Sequence, residues 1–209
     1  MLFRSVTVEL IDYIKDSKKV LPYFDIPLQH INDRILGLMN RRTDKKQIIS
    51  LITEIKEKIP NAVIRTSLIS GFPTETEKEH RELASFVKKG YIDRLGVFAF
   101  SSEEGTKAAK IKGKISKSIK NTRKNEIMEI AKRVSLSKNR KKCNKAYTVL
   151  VEGYDTINKV WFGRTYMDSP EIDGNVYFES EKIHDFGDYV NVKITNCDEY
   201  DLAGKAIND

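Results

Sequence analysis

The hydrophobic period of this sequence changes once, close to residue 145, and that change limits what the chain can fold into. Ahead of it, apolar residues recur at helical spacing and alternate with short, continuous apolar runs. Beyond it, they alternate with polar or opposite-face residues in several short stretches. A helix repeats its face about every 3.6 residues and a strand every second residue, so each part needs its own packing scheme. The first part reads as alternating α and β units, the second as an all-β module.

Within the first part, Val6, Leu10 and Ile14 mark a short helix opened by Ser5 or Thr7, and Leu21 to Ile26 is extended between Pro22 and Pro27. Asp44 caps an amphipathic helix through Ile48, Leu51, Ile52, Ile55 and Ile59, which Pro60 ends. Residues 62–69 read as a strand that Gly71-Phe72-Pro73 breaks. Thr74 or Thr76 then caps a helix running to about Lys89, stopped by Gly90, and residues 95–100 form a further strand. Alternating units imply a parallel sheet with right-handed crossovers. Ligand chemistry in such folds gathers at the C-terminal strand ends, here residues 26–30, 70–74 and 101–105.

A long basic helix from Ser116 to about Lys142 follows. Past it, Tyr147, Val149 and Val151 alternate, as do Val190, Val192 and Ile194. Short stretches at 160–166, 176–178 and 200–207, with glycines at the bends, complete the pattern. Such a set of strands suggests a small five-stranded β-barrel of the OB type. The expected division is 1–115, a connector helix 116–142, and a barrel 143–209.

Charge follows the same division. Residues 1–106 carry 17 basic and 15 acidic side chains; residues 107–145 carry 15 basic and two acidic; residues 146–209 carry five basic and 13 acidic. The formal net charge of +7 therefore conceals an acidic C-terminal module. Cys143 and Cys197 are the two cysteines, with no Cys-x-x-Cys pair and no histidine beside either, so neither takes a redox role in this reading. Two thiols are too few for a structural zinc site or an iron–sulfur cluster. No apolar run has the length of a membrane span, and Met1-Leu2-Phe3-Arg4 lacks the order of a signal peptide. A soluble, cytoplasmic protein without membrane attachment is expected.

Four segments then carry a resemblance. They are Leu21-Pro-Tyr-Phe-Asp-Ile-Pro-Leu-Gln-His30, Arg65-Thr-Ser-Leu-Ile-Ser-Gly-Phe-Pro-Thr-Glu75, Asp93-Arg-Leu-Gly-Val-Phe-Ala-Phe-Ser-Ser-Glu-Glu-Gly-Thr106 and Gly163-Arg-Thr-Tyr-Met-Asp-Ser-Pro-Glu-Ile-Asp-Gly174. In that order and spacing they resemble the radical-SAM methylthiotransferases, most closely the RimO type, which methylthiolates an aspartate of a small-subunit ribosomal protein. The resemblance implies the second half of a radical-SAM (TIM-like) α/β barrel followed by a small five-stranded, OB-like TRAM barrel. Complete family members use S-adenosyl-L-methionine and two [4Fe–4S] clusters. Their cluster cysteines lie in an N-terminal domain and in a Cys-x-x-x-Cys-x-x-Cys run, and this sequence has neither set. It is expected to correspond to the C-terminal half of such an enzyme, to bind no cluster and to be inactive alone. Met1-Leu2-Phe3-Arg4-Ser5 stands where the family has a turn after an earlier barrel strand.

The resemblance places S-adenosylmethionine against Gln29, His30, Arg65, Ile69, Gly71, Phe72, Pro73, Val97 and Phe98. A glycine after a buried strand lets backbone approach a ligand, with Ile69 and Phe72 as an apolar wall; a plain strand-to-helix turn would use the same residues. Arg65 suits the carboxylate of S-adenosylmethionine, or an internal ion pair with Asp25 or Asp93. The basic helix is a candidate contact for ribosomal RNA or simply a solvated face. Asp168, Glu171 and Asp173 are candidate substrate-binding residues, since an acidic module repels polyphosphate and suits a basic protein. Three further readings stay open: a tRNA-adenosine methylthiotransferase part, a non-catalytic binding module, and half of a split enzyme completed by a missing N-terminal half.

Overall fold

A computed structural model describes residues 5–207 of the chain. Met1–Arg4, which the resemblance sets at an earlier barrel turn, lie outside the described residues. The chain divides into two compact units, Met1–Ala131 and Lys132–Asp209, and the division falls within the long basic helix.

Unit 1 runs α1 (Val8–Asp16), β1 (Tyr23–Asp25), α2 (Asp33–Leu38), α3 (Lys45–Lys58), β2 (Val63–Ser70), α4 (Glu77–Lys88), β3 (Arg94–Ala99) and the first part of α5 (Lys117–Arg140). Local chemistry sets most boundaries. Asp44 and Thr76 each complete a capping box, with Gln47 and Glu79 as the reciprocal partners. Thr7, not Ser5, caps α1. The sequence reading assigns nothing to α2, a six-residue helix capped by Asn32, because so short a segment shows too little period to register. The three strands are parallel in the order β1-β2-β3.

Alternation along β2 sorts the sheet into two faces. Ile64, Thr66, Leu68 and Ser70 are fully buried, while Arg65, Ser67 and Ile69 are only half-buried. Ile64, Leu68, Phe24 and Val97 share a core with Ile11 of α1, Ile48, Ile52 and Ile55 of α3, Leu83 and Val87 of α4, and Ile127 of α5. Each such side chain stabilises the fold by roughly 1.5–3 kcal/mol relative to exposure. The opposite face carries no layer of helices among the described residues.

Unit 2 contains the end of α5 and β4 (Ala146–Asp155), β5 (Val160–Arg164), β6 (Val176–Glu179), β7 (Tyr189–Cys197) and β8 (Leu202–Ala206). These five strands close into the expected barrel in the order β4-β5-β6-β8-β7, with β6 and β8 parallel. Val149, Val151, Val176, Phe178, Val190, Val192, Ile194 and Leu202 fill it. Gly163 permits closure on one side, since an added Cβ would lie 2.0 Å from the Leu150 carbonyl oxygen. Cys143 and Cys197, far apart in the sequence, bring their sulfurs to 3.8 Å, a proximity created by the pairing of β4 with β7.

Candidate functional site

The loop after β2 is built around a carboxylate. Gly71 turns the chain with a φ of 74°, a conformation that favours glycine. Glu75 then folds back, and its Oε2 accepts the backbone N–H of Gly71 at 2.9 Å and that of Phe72 at 3.4 Å. From α5, Arg123 Nη1 donates to Glu75 Oε1 and to its carbonyl oxygen, both at 2.9 Å. His30 Nε2 stands 3.6 Å from Oε2, and His80 Nδ1 4.0 Å from Oε1. Burial pushes the Glu75 carboxyl up, but the His30 imidazole, the Gly71 N–H and the Arg123 guanidinium together hold it below the usual carboxylate range. His30, Ser70, Glu75 and His80 are all buried, so the loop rests on a desolvated polar cluster.

Other elements grip the same loop from outside. Arg34 of α2 makes a bidentate pair with Glu79, at 2.6 and 2.7 Å, and also donates to the Thr74 hydroxyl and carbonyl. Arg34 is the main reason that the Glu79 carboxyl falls to about 2. The stem of Lys120 covers Gly71 closely, and its Nζ donates to the Phe100 carbonyl at 2.8 Å. Phe100 in turn meets Phe72 edge-on, with ring centroids 5.0 Å apart.

Beside this loop lies the sheet face without helices. The parallel register sets Ile69 against Phe98 and Ser67 against Gly96. Phe98 is 58% exposed, and its ring lies over Gly96, where a Cβ would stand 3.3 Å from Cε2. Ile69, Gly96 and Phe98 thus form an apolar ledge open to a planar ligand. Arg65 shares the face and pairs with Asp25 at 2.8 Å; Asp93 is held instead by Lys56 at 2.6 Å. Gln29 joins the sheet edge, its N–H bound to the Ser67 carbonyl and its own carbonyl accepting from Ile69, with a φ of 72°.

The predicted residues therefore separate. Arg65, Ile69 and Phe98 share the open face, and Gln29 and Gly71 border it. Phe72 and Pro73 are buried in the turn, Val97 belongs to the core on the opposite face, and His30 belongs to the Glu75 cluster. Sequence reasoning missed Glu75, Arg123 and Arg34. Glu75 looks like one of several acidic residues at a helix start, and only its burial marks it out. In unit 2, Thr165 donates to buried Asp168 at 2.8 Å, and the Ser169 N–H donates to Asp173 at 2.8 Å. Two of the three acidic candidates thus brace their own loop, while Glu171 is exposed at its tip.

The ledge is apolar and open beside the glycine turn, which is the chemistry the flat face of a heterocycle requires. The residues present do not fit a [4Fe–4S] cluster, which takes three or four thiolates where the sequence has two. No helix among the described residues is long and apolar enough to cross a membrane.

Comparison with known proteins agrees with this layout. Residues 3–87 match the Radical SAM superfamily and residues 145–207 the TRAM domain. The chain is 46% identical over 201 residues to the ribosomal protein uS12 methylthiotransferase RimO of Acetivibrio thermocellus, covering 96% of this chain and 44% of that protein. It is 46% identical over 204 residues to the protein of the same name from Clostridium acetobutylicum, covering 98% and 45%. For that of Aquifex aeolicus the identity is 46% over 198 residues, covering 94% and 46%. The chain therefore spans less than half the length of these curated relatives. Fold and matches together put a radical-SAM part ahead of a TRAM barrel. Along nearly its whole length the chain is similar to part of the RimO-type methylthiotransferases.

Proposed function

We propose that this chain forms part of an enzyme that methylthiolates an aspartate of a small-subunit ribosomal protein. The observation that carries the reading is the identity of 46% along nearly the whole chain to proteins named for that reaction. S-adenosylmethionine would lie with its adenine on Ile69 and Phe98, beside Gly71 and Gln29. When bound, it supplies the methyl group and the radical precursor, while the protein contributes orientation and exclusion of water. Here Glu75, Arg123 and Arg34 hold the loop that meets the cofactor, and Phe72, Pro73, Val97 and His30 pack behind it. Arg65 borders the ligand as a charge already neutralised by Asp25. The cluster chemistry belongs to an N-terminal partner segment supplied in the same chain or as a separate one.

The domain division at 1–115, 116–142 and 143–209 assigns cofactor contact to the first part, ribosomal RNA contact to the basic helix, and substrate docking to the barrel. Thirteen acidic against five basic side chains after residue 145 support a basic protein rather than tRNA as the docked substrate. Within the acidic loop Glu171 contacts the substrate, and Asp168 and Asp173 hold Glu171 in place. The work is cytoplasmic, where ribosomal subunits are assembled. A competition titration tests the reading: the labelled chain should bind uS12 and should not be displaced by bulk tRNA. Tight binding of tRNA with none of uS12 would overturn it.

A further inference from the structure

We propose that Cys143 and Cys197 constitute a thiol modification site that closes to a reversible disulfide within unit 2. The two sulfurs stand 3.8 Å apart although their residues are 54 positions apart in the chain. This approach is fixed by backbone rather than by loose side chains. Ala146 registers with Lys193, the Asn144 N–H donates to the Ile194 carbonyl at 2.8 Å, and the Ile194 N–H donates to the Lys145 carbonyl at 2.9 Å. On the other side of the pair, Ser135 donates to the Glu199 carbonyl at 2.6 Å and Asn139 to the Asp198 carbonyl at 3.0 Å. Both segments are therefore pinned next to their cysteines. A disulfide needs sulfurs about 2.05 Å apart, so closure takes a small rotation of the side chains and no rearrangement of strands.

Both cysteines pack against the barrel core, and beyond that packing their sulfurs meet each other. Burial, and then Cys143 itself, push the Cys197 thiol up. At neutral pH it therefore rests as a thiol and waits for an oxidant. The oxidant is a low-molecular-weight disulfide. One protein thiolate attacks it, forming a mixed disulfide and releasing one small thiol. The second cysteine then attacks the mixed disulfide, forming the bond between Cys143 and Cys197 and releasing the other small thiol. Two protein thiols are oxidised, one small disulfide is reduced to two thiols, and the protons go to the leaving sulfurs. The product staples the turn between α5 and β4 to the end of β7 and constrains the unfolded barrel. This inference is independent of the proposed enzymatic role.

The test uses the whole chain with oxidised glutathione under argon, followed by acid quenching, alkylation, intact mass and peptide mapping. Expected are the loss of two hydrogens, no alkylation, and a linked peptide joining Cys143 to Cys197 that dithiothreitol separates. The thermal midpoint of the barrel should rise by roughly 5–10 °C. Cys197→Ser should instead retain one glutathione on Cys143. Separate adducts on both cysteines, links only between chains, or two thiols still open to alkylation would each overturn the proposal. Mapping in the unmodified chain does not depend on the variant folding.

Discussion

Unit 1 buries charge at one loop, whereas unit 2 closes its core with backbone and apolar side chains. In unit 1, His30, Ser70, Glu75, Glu79, His80 and Arg123 are buried within or around the turn that follows β2. In unit 2, the interior of the barrel is valine, isoleucine, leucine and phenylalanine. Taking charges out of water costs several kcal/mol per ion before pairing offsets it, and an apolar replacement is often no worse. The cluster is therefore a poor way to gain stability and an effective way to hold a loop in one conformation. The open sheet needs that help because its exposed face has no helix layer to press it into shape. A closed barrel satisfies its own strand edges, so its loops are free to carry acidic residues.

Three substitutions test this contrast. Glu75→Ala leaves the buried Arg123 guanidinium with only its longer carboxylate contact, to Glu77 at 3.4 Å, and should cost about 3–5 kcal/mol. Amide hydrogen exchange should show the loss across β2 and α4 while the barrel strands keep their protection; equal loss in both units would defeat the division of labour. Gly163→Ala forces a Cβ toward the Leu150 carbonyl and should cost about 1–3 kcal/mol, confined to exchange in β4 and β5. Loss of protection in the parallel sheet instead would count against a self-contained barrel.

The smallest effect depends on pH. Glu79 has a folded value of about 2 against an ordinary 4.5, chiefly because of Arg34. Since the folded value is depressed, its contribution is present above the unfolded value and is lost as pH falls from about 4.5 toward 2. Arg34→Ala should therefore destabilise unit 1 by roughly 1–2 kcal/mol at neutral pH, allowing for the half-exposed guanidinium. Urea midpoints of the two proteins should converge as pH drops to about 2. A gap that persists at low pH would show that Arg34 acts through packing rather than charge.

Local signals were legible in the sequence where the physics is local. Asp44 and Thr76 cap helices because a side-chain oxygen reaches an N–H within the next turn. The strands of the barrel show their period of two directly, as at Val190, Val192 and Ile194. The candidate site was legible only in part. Ile69 lies on the open sheet face and Gly71 at its border, while adjacent Val97 and Phe98 look alike in sequence and face opposite ways, one into the core and one outward. Which face of a strand meets helices is decided by register with neighbours, and no property of the two residues reveals it.

The change of period near residue 145, the helix caps, the acidic charge of the barrel and the four motifs can all be read along the chain alone. Those depend on neighbours in the chain or on patterns along it. Tertiary structure alone decided that Glu75 is the centre of a buried cluster with Arg123 from 48 residues away. It also decided that two cysteines 54 residues apart meet. Each depends on which segments pack together, and that is settled by the burial of the core as a whole rather than by the residues that end up in contact.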